Sequence, residues 1–344
     1  MMTLANVPGV AVGYVQNGKL AWTGEFGVKN ATTKEAVARD TVWQVGSLSK
    51  PVFAFAVMQL VADGKMDLDR PLVNYIGGDI VKDDPRSRLI TARHALSHSS
   101  GLQNWRFRAG DVLQMSFAPG ERWSYSGVGV YPVQRAMEHI TGQGFEEFVQ
   151  TRVLKPLGMN SSSYFWMPDY DKRVATAHNA NGEVAVDYLV MSAPKMLKLA
   201  DEWKKPVATW RAEDFEKAQA AVETRFPPFP TFYSVNAAGS LLSTVSDYAT
   251  FVAAMFDRKF DNMFKPQTKI NDTVSWGVGW GLQANAGSSQ FWHWGEGINY
   301  RTFVIGDRAS RNALIVFTNA RNGRKIWERV VMEAAGDQPL MLWV

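Results

Sequence analysis

Val45-Gly46-Ser47-Leu48-Ser49-Lys50-Pro51, followed by the apolar run Val52-Phe53-Ala54-Phe55-Ala56-Val57-Met58, is the stretch on which the reading of this chain turns. Ser47 and Lys50 stand three apart, which on an α-helix places both side chains on one face. Pro51 lacks an N–H and cannot sit deep in a helix, so the helix has to begin about one turn earlier. Ser47 then falls at or next to the helix N-terminus, where unpaired backbone N–H groups and the positive dipole end favour negative charge. A serine there can attack a carbonyl while its own N–H stabilises the oxyanion. The same environment is expected to disfavour a second cation, lowering the pKa of Lys50 and making it a proton acceptor. Ser-x-x-Lys equally describes an N-capping serine with a solvated lysine one turn on. The apolar run after Lys50 shifts the balance, because a helix apolar all round is buried, and a serine and lysine at its start then need partners or a task.

Outward from that stretch, composition narrows the class. A chain of 344 residues, 46% of them hydrophobic, suits a globular enzyme-sized protein of two lobes, or one domain with a large insertion. The balance of 37 basic against 33 acidic residues leaves a net charge of only +4 with no Lys/Arg run, so no nucleic-acid partner is expected. No cysteine is present, which excludes disulfides, thiolate chemistry and cysteine-based metal sites. No apolar run approaches the roughly 18 residues of a membrane span. Met1 to Pro8 lacks the features of a signal peptide, leaving two compartments open: cytoplasmic, or periplasmic or secreted if an export signal has been removed.

Taken in order, residues 10–15 read as a strand, Asn17-Gly18 as a two-residue turn, and 20–28 as the partner strand. The serine helix ends at Asp63-Gly64 with a glycine cap. Short helices are predicted over 71–76 and 91–97, then a turn-rich loop over 117–127. Helices are also predicted over 128–140, closed by Gly142, and over 145–153. Residues 187–233, with Trp203, Trp210 and Pro227-Pro228-Phe229-Pro230, read as an extra helical excursion covering the site. Ser243 to Asp247 caps an amphipathic helix running to Phe256. Strands are predicted over 277–282, 289–294, 301–306 and 313–318, and a last helix over 325–335. Strands at both termini with helices between them imply an α/β (α+β) fold, with one antiparallel sheet built from both chain ends and flanked by helices. Residues 1–65 and 235–344 would form the sheet domain, and 66–234 an inserted, mostly helical domain.

Five segments in a fixed order carry a family likeness. They are Val45-Gly46-Ser47-Leu48-Ser49-Lys50, Ile90 through Leu102, Pro119-Gly120 through Tyr125-Ser126, Ala238-Gly239-Ser240 through Ser246-Asp247, and His293-Trp294-Gly295. Over nearly its whole length the chain resembles the serine β-lactamase and penicillin-binding-protein family. It is most similar to the class C branch, which also holds DD-peptidases, D-aminopeptidases and family VIII carboxylesterases. The resemblance implies the β-lactamase/transpeptidase-like fold. It also implies Ser47 as acylated nucleophile, Lys50 as general base or proton relay, and Tyr125 as the phenol that passes the proton to the leaving group. The oxyanion hole would be the backbone N–H groups of Ser47 and Glu296, just after the third motif, with His293, Trp294 and Gly295 as substrate-binding neighbours. A lysine within hydrogen-bond reach of Tyr125 is expected to stabilise its phenolate.

Two departures bear on the substrate. Gly127 stands where the family usually has an asparagine that holds the substrate amide, and Trp294 where a small hydroxyl residue is usual. With Glu296 next in line, these put β-lactam and peptide recognition in doubt and leave the acylation machinery in place. Arg106 or Arg301 would have to offset Glu296. Of the histidines, His94 and His98 stand four apart but lack the glutamate of a metalloprotease, and are expected to hold a buried loop rather than a metal. His139 reads as a helix C-terminal cation, and His293 as a substrate-facing donor. Trp43, Trp123, Trp276, Trp280, Trp292 and Trp294 are expected to be mostly core. The reading is a serine hydrolase forming an acyl-enzyme on Ser47, a carboxylesterase on small or bulky apolar esters. The alternatives are a β-lactamase or D-amino-acid-specific peptidase using the same residues, and a non-catalytic receptor. No cofactor and no metal are implied, and the partner is a small-molecule ester or amide.

Overall fold

Strands from the two ends of the chain pair with one another. Asn17 and Gly18 both take positive φ (51° and 76°), so the tight turn closes β1 (Gly9–Gln16) onto β2 (Lys19–Gly27). The computed structural model describes residues 1–108, 110–222, 234–285 and 288–335. Beyond the hairpin come β3 (Trp43–Gln44) and β4 (Leu242–Ser243), which pair with each other beside the main sheet. The remaining strands are β5 (Thr268–Lys269), β6 (Val274–Trp276), β7 (Gly281–Asn285), β8 (Ser288–Glu296), β9 (Arg301–Asp307) and β10 (Asn312–Thr318). The main sheet runs β2-β1-β10-β9-β8-β7-β6-β5, and each of its pairs is antiparallel. The large antiparallel sheet flanked by helices is the expected architecture.

One strand differs from the expectation. The pattern predicts a single strand over 277–282, but Gly277 to Trp280 form a turn, with the Gly277 N–H donating to the Trp280 carbonyl at 2.8 Å. Gly279 sits at φ 79°, and a Cβ there would lie 2.6 Å from that of Ala54, so the turn packs against the serine helix. Apolar alternation carries no sign of that contact.

The longer helices are α1 (Ser49–Ala62), α2 (Val130–Thr141), α3 (Tyr188–Trp203), α4 (Ala212–Val222), α5 (Val245–Ala254) and α6 (Arg324–Ala335). Every residue of α1 from Ser49 to Val57 is buried, as its lack of a polar face requires. Period-two alternation sends Ala11, Ile315 and Phe317 to the face that shares a core with α1 and α5. Val10, Val12 and Val316 point to the opposite face, covered by α6, where Trp327 stacks on Phe303 at 4.2 Å. Each large side chain so buried contributes roughly 1.5 to 3 kcal/mol.

The excursion after residue 187 supplies α3 and α4. Glu138 of α2 accepts the Ala212 N–H at 2.9 Å and so caps α4, while Trp203 and Trp210 pack ring on ring at 5.0 Å. The proline segment 227–230 lies outside the described residues. Among those residues no helix is long and apolar enough to cross a membrane.

Candidate active site

The serine turn is clamped from every side. Gly46–Leu48 form one 3-10 turn leading into α1, with Gly46 at φ 55°, which glycine adopts without steric cost. A Cβ on Gly46 would lie 2.9 Å from the backbone nitrogen of Glu296, so the turn rests directly on the end of β8. Gly295 is as tightly placed, since a Cβ there would overlap the Val45 carbonyl and Thr302 Oγ1. The Thr302 hydroxyl donates to that Val45 carbonyl at 2.9 Å. Ser49 donates to Gly46 O at 2.6 Å and accepts the Leu241 N–H at 2.9 Å. The hydroxyls of Tyr164 and Tyr248 donate to the carbonyls of Ser49 and Leu48, at 2.7 and 3.0 Å. Thr302, Tyr164 and Tyr248 come from distant parts of the chain and no local pattern marks them. Only their shared target, the serine turn, reveals them.

Lys50 Nζ lies 2.9 Å from Ser47 Oγ and donates to the Ala238 carbonyl at 2.8 Å. The side chain is fully enclosed, and burial pulls its pKa down to about 7. The direction is the expected one, but the cause is loss of water around the ammonium rather than the positive helix end. A base that titrates near neutrality is matched to taking a hydroxyl proton.

Tyr125 behaves differently from expectation. Its ring lies 5.0 Å from Lys50 Nζ and its hydroxyl beside Ser47, buried and without a partner in good hydrogen-bond geometry. Burial raises its pKa above the ordinary phenol range, with the Ser47 hydroxyl pulling down and the charge of Glu296 pushing up. A desolvated Lys50 loses its own charge near neutrality and has little field left to stabilise a phenolate. Tyr125 therefore rests as a phenol, able to donate a proton, whereas Lys50 is the group of the pair that loses its charge near neutrality.

The loop carrying Tyr125 is held by His98. Its carbonyl accepts the Ser124 N–H at 2.7 Å, and its Nδ1 accepts the Ser126 N–H at 3.2 Å. Its ring lies 4.1 Å from that of Tyr125. This is the loop-holding role expected of the 94/98 pair. His94 instead completes a capping box with Thr91.

The third-motif residues divide. Gly295 and Glu296 sit against the serine turn, and Glu296 borders the cleft. His293 does not face substrate: its side chain is fully buried, with Nδ1 2.6 Å from the Trp294 carbonyl and Nε2 unpartnered. Burial, then Lys50, lowers its pKa to about 3, so it stays neutral. Its ring lies 5.4 Å from that of Trp276 and 6.2 Å from that of Tyr125. Trp294, half-buried, lies 5.1 Å from the Tyr125 ring and supports the phenol rather than bordering the cleft. Trp43, Trp276, Trp280 and Trp292 are core, as expected. Arg301 Nε is 3.5 Å from Glu296 Oε1 and offsets its charge, whereas Arg106 borders a separate cavity near Tyr131 and Asp111.

Above Ser47 opens a cleft bordered by Trp105, Tyr188, Leu189, Glu296, Ile298 and Asn299. The start of the excursion is therefore one of its walls. Asp187 fixes that wall, accepting the N–H groups of Leu189 and Val190 at 3.0 and 3.3 Å, and Gln44 Nε2 at 2.6 Å. The described residues bordering the cleft include two carboxylates, Asp187 and Glu296, and no lysine or arginine. Trp105 is an aromatic wall that no sequence motif marks.

The low pKa of Lys50 sets a pH dependence. A Lys50 acting as the base would have to be unprotonated, so kcat/KM should then be full above its pKa and fall as pH drops through about 7. At pH 6 we expect about a tenfold loss from the plateau. With Tyr125 raised, no alkaline loss from the phenol is expected below about pH 10. A pH–rate profile flat between 6 and 8 would contradict Lys50 as the base.

Comparison with known proteins places this geometry. The family model described as Beta-lactamase matches residues 1–335. Penicillin-binding protein 4* of Bacillus subtilis (strain 168) is 23% identical over 93% of this chain and 70% of its own length. Esterase EstB of Burkholderia gladioli is 27% identical over 43% of this chain and 45% of its own length. Among solved structures, an octameric penicillin-binding protein homologue from Pyrococcus abyssi superposes with a TM-score of 0.72 at 21% identity, covering 98% of this chain and 75% of that one. With its match running through both the serine turn and the third-motif strand, the chain belongs to the beta-lactamase family.

Proposed function

We propose that the protein is a serine hydrolase that turns over carboxylic esters through an acyl-enzyme on Ser47. The observation that carries this reading is the buried Ser47–Lys50 pair, 2.9 Å apart at the floor of a cleft, with Lys50 poised near neutrality. Lys50 takes the Ser47 proton as Oγ attacks the ester carbonyl. The oxyanion forms between the backbone N–H groups of Ser47 and Glu296, a reading supported by the close packing of the serine turn on the end of β8, where a Cβ on Gly46 would lie 2.9 Å from the Glu296 nitrogen. Tyr125 hands a proton to the departing alkoxide and is reprotonated from Lys50. Water then attacks the acyl-enzyme by the same proton path in reverse.

Preference for neutral esters over β-lactams or peptide carboxylates is supported by charge. The cleft is bordered by Asp187 and Glu296 with no cation among its described residues, and Arg301 only partly offsets Glu296. A like charge at close range costs about 1 kcal/mol or more, depending on solvation. Trp294 leaves no hydroxyl to receive a carboxylate. We expect short p-nitrophenyl esters to exceed nitrocefin and benzylpenicillin by at least about 10²-fold in kcat/KM, roughly 2.7 kcal/mol. Parallel assays on the purified chain check this. Equal efficiencies would favour a β-lactamase or D-amino-acid-specific peptidase using the same residues, and no turnover of any acyl donor would favour a receptor.

A further inference from the structure

Gly127 lies two residues after Tyr125, and the space its side chain would fill is already taken. A Cβ there would overlap Cε2 and Cζ2 of Trp105. The Gly127 N–H donates to Asn104 Oδ1 at 2.7 Å, and the Val128 N–H donates to the Asn104 carbonyl at 3.3 Å. The segment bearing the indole is thus latched onto the glycine and cannot easily swing away. From that anchorage Trp105 reaches the same cleft as Ser47, and its ring lies 5.8 Å from Lys50 Nζ.

The rest of the cleft mouth is of matching character. Val186 and Ile298 border it while 58% and 39% exposed, next to Tyr188 and Leu189. Exposed apolar side chains at the mouth of a cleft gain free energy when an apolar group covers them. Two of the polar groups nearby are committed elsewhere: Asp187 holds α3 and Gln44, and Ser240 donates to the Tyr164 carbonyl at 2.9 Å. A flat or linear apolar group can lie along the indole. A group branched beside the carbonyl would push into a ring that has no room to retreat.

We propose that Trp105 is the specificity-determining residue of the cleft: its ring packs the group on the substrate carbonyl, admitting aryl and unbranched alkyl acyl groups and rejecting those branched next to the carbonyl. The proposal rests on the esterase reading above.

The test keeps the leaving group constant. The p-nitrophenyl acetate, butyrate, benzoate and pivalate esters are compared on wild type and Trp105→Ala. Wild type should prefer butyrate and benzoate to pivalate. Trp105→Ala should raise the pivalate-to-butyrate ratio of kcat/KM by about tenfold or more. Gly127→Ala, which drives a methyl against the ring, should depress benzoate relative to acetate, and less so when Trp105 is already alanine. If Trp105→Ala changes all four esters by one common factor, the proposal is overturned. A fluorophosphonate arm separates this from the catalytic reading. An unlabelled wild-type Ser47 sinks the esterase itself, whereas a labelled Ser47 with unshifted ratios sinks only the role of Trp105.

Discussion

Replacing Ser47 by alanine is expected to lower ester turnover by about 10⁴-fold or more, the scale seen when the nucleophile of a covalent mechanism is removed. The oxyanion donors are backbone groups and the cleft walls are untouched, so a residual rate above water is expected to survive. The fold should survive as well. The turn carrying Ser47 is fixed by Thr302, Ser49, Tyr164 and Tyr248, whose bonds go to carbonyls rather than to Oγ. Intact-mass measurement after fluorophosphonate treatment gives the independent reading: one adduct on the wild type, mapping to Ser47, and none on the variant. An adduct that persists in Ser47→Ala, or an unchanged rate, would mean that the nucleophile lies elsewhere.

The serine turn is legible in the sequence because its signals are local. Ser47, Lys50 and Pro51 lie within five residues, and the apolar run behind them announces burial. Tyr125 is legible only through the order of motifs, since a tyrosine in an aromatic loop otherwise reads as packing. Its protonation cannot be read from sequence at all, because a pKa depends on how much water is removed, and that depends on the whole packed site. The same holds for His293, whose ring is fully buried between Trp276 and Tyr125, a placement that residue type does not reveal. Trp105 escapes notice for a related reason. Gly127 invites the inference that something is missing, whereas in the fold a side chain from 22 residues earlier occupies the place. Long-range substitution of that kind leaves no trace in spacing. The Gly277–Trp280 turn is the counterpart in the fold, since its cause is a contact with Ala54 on another element.

Lys50→Met should separate activity from stability. As the base, Lys50 is expected to contribute about 10²-fold or more to acylation. Tyr125→Phe should cost a similar factor, with the double variant losing less than the two losses summed, because both groups lie on one proton path. Stability should move the other way, and its pH dependence is the sharper test. The lysine titrates near 10.5 in the unfolded chain and about 7 in the fold. Between those values the unfolded chain holds a proton that the native state has released, so this group makes native stability rise with pH across that window. At pH 7 the penalty is nearly complete, and by pH 9.5 most of it is gone. Methionine carries no such penalty at either pH. Its loss of hydrogen bonds to Ser47 Oγ and the Ala238 carbonyl costs about the same at both. The stability difference, variant minus wild type, should therefore be more favourable at pH 7 than at pH 9.5 by about 3 kcal/mol. Denaturant unfolding of both proteins at the two pH values measures that difference directly. A value independent of pH would mean that Lys50 titrates in the fold as it does in water, and a lysine that stays charged at pH 7 cannot be the base that activates Ser47.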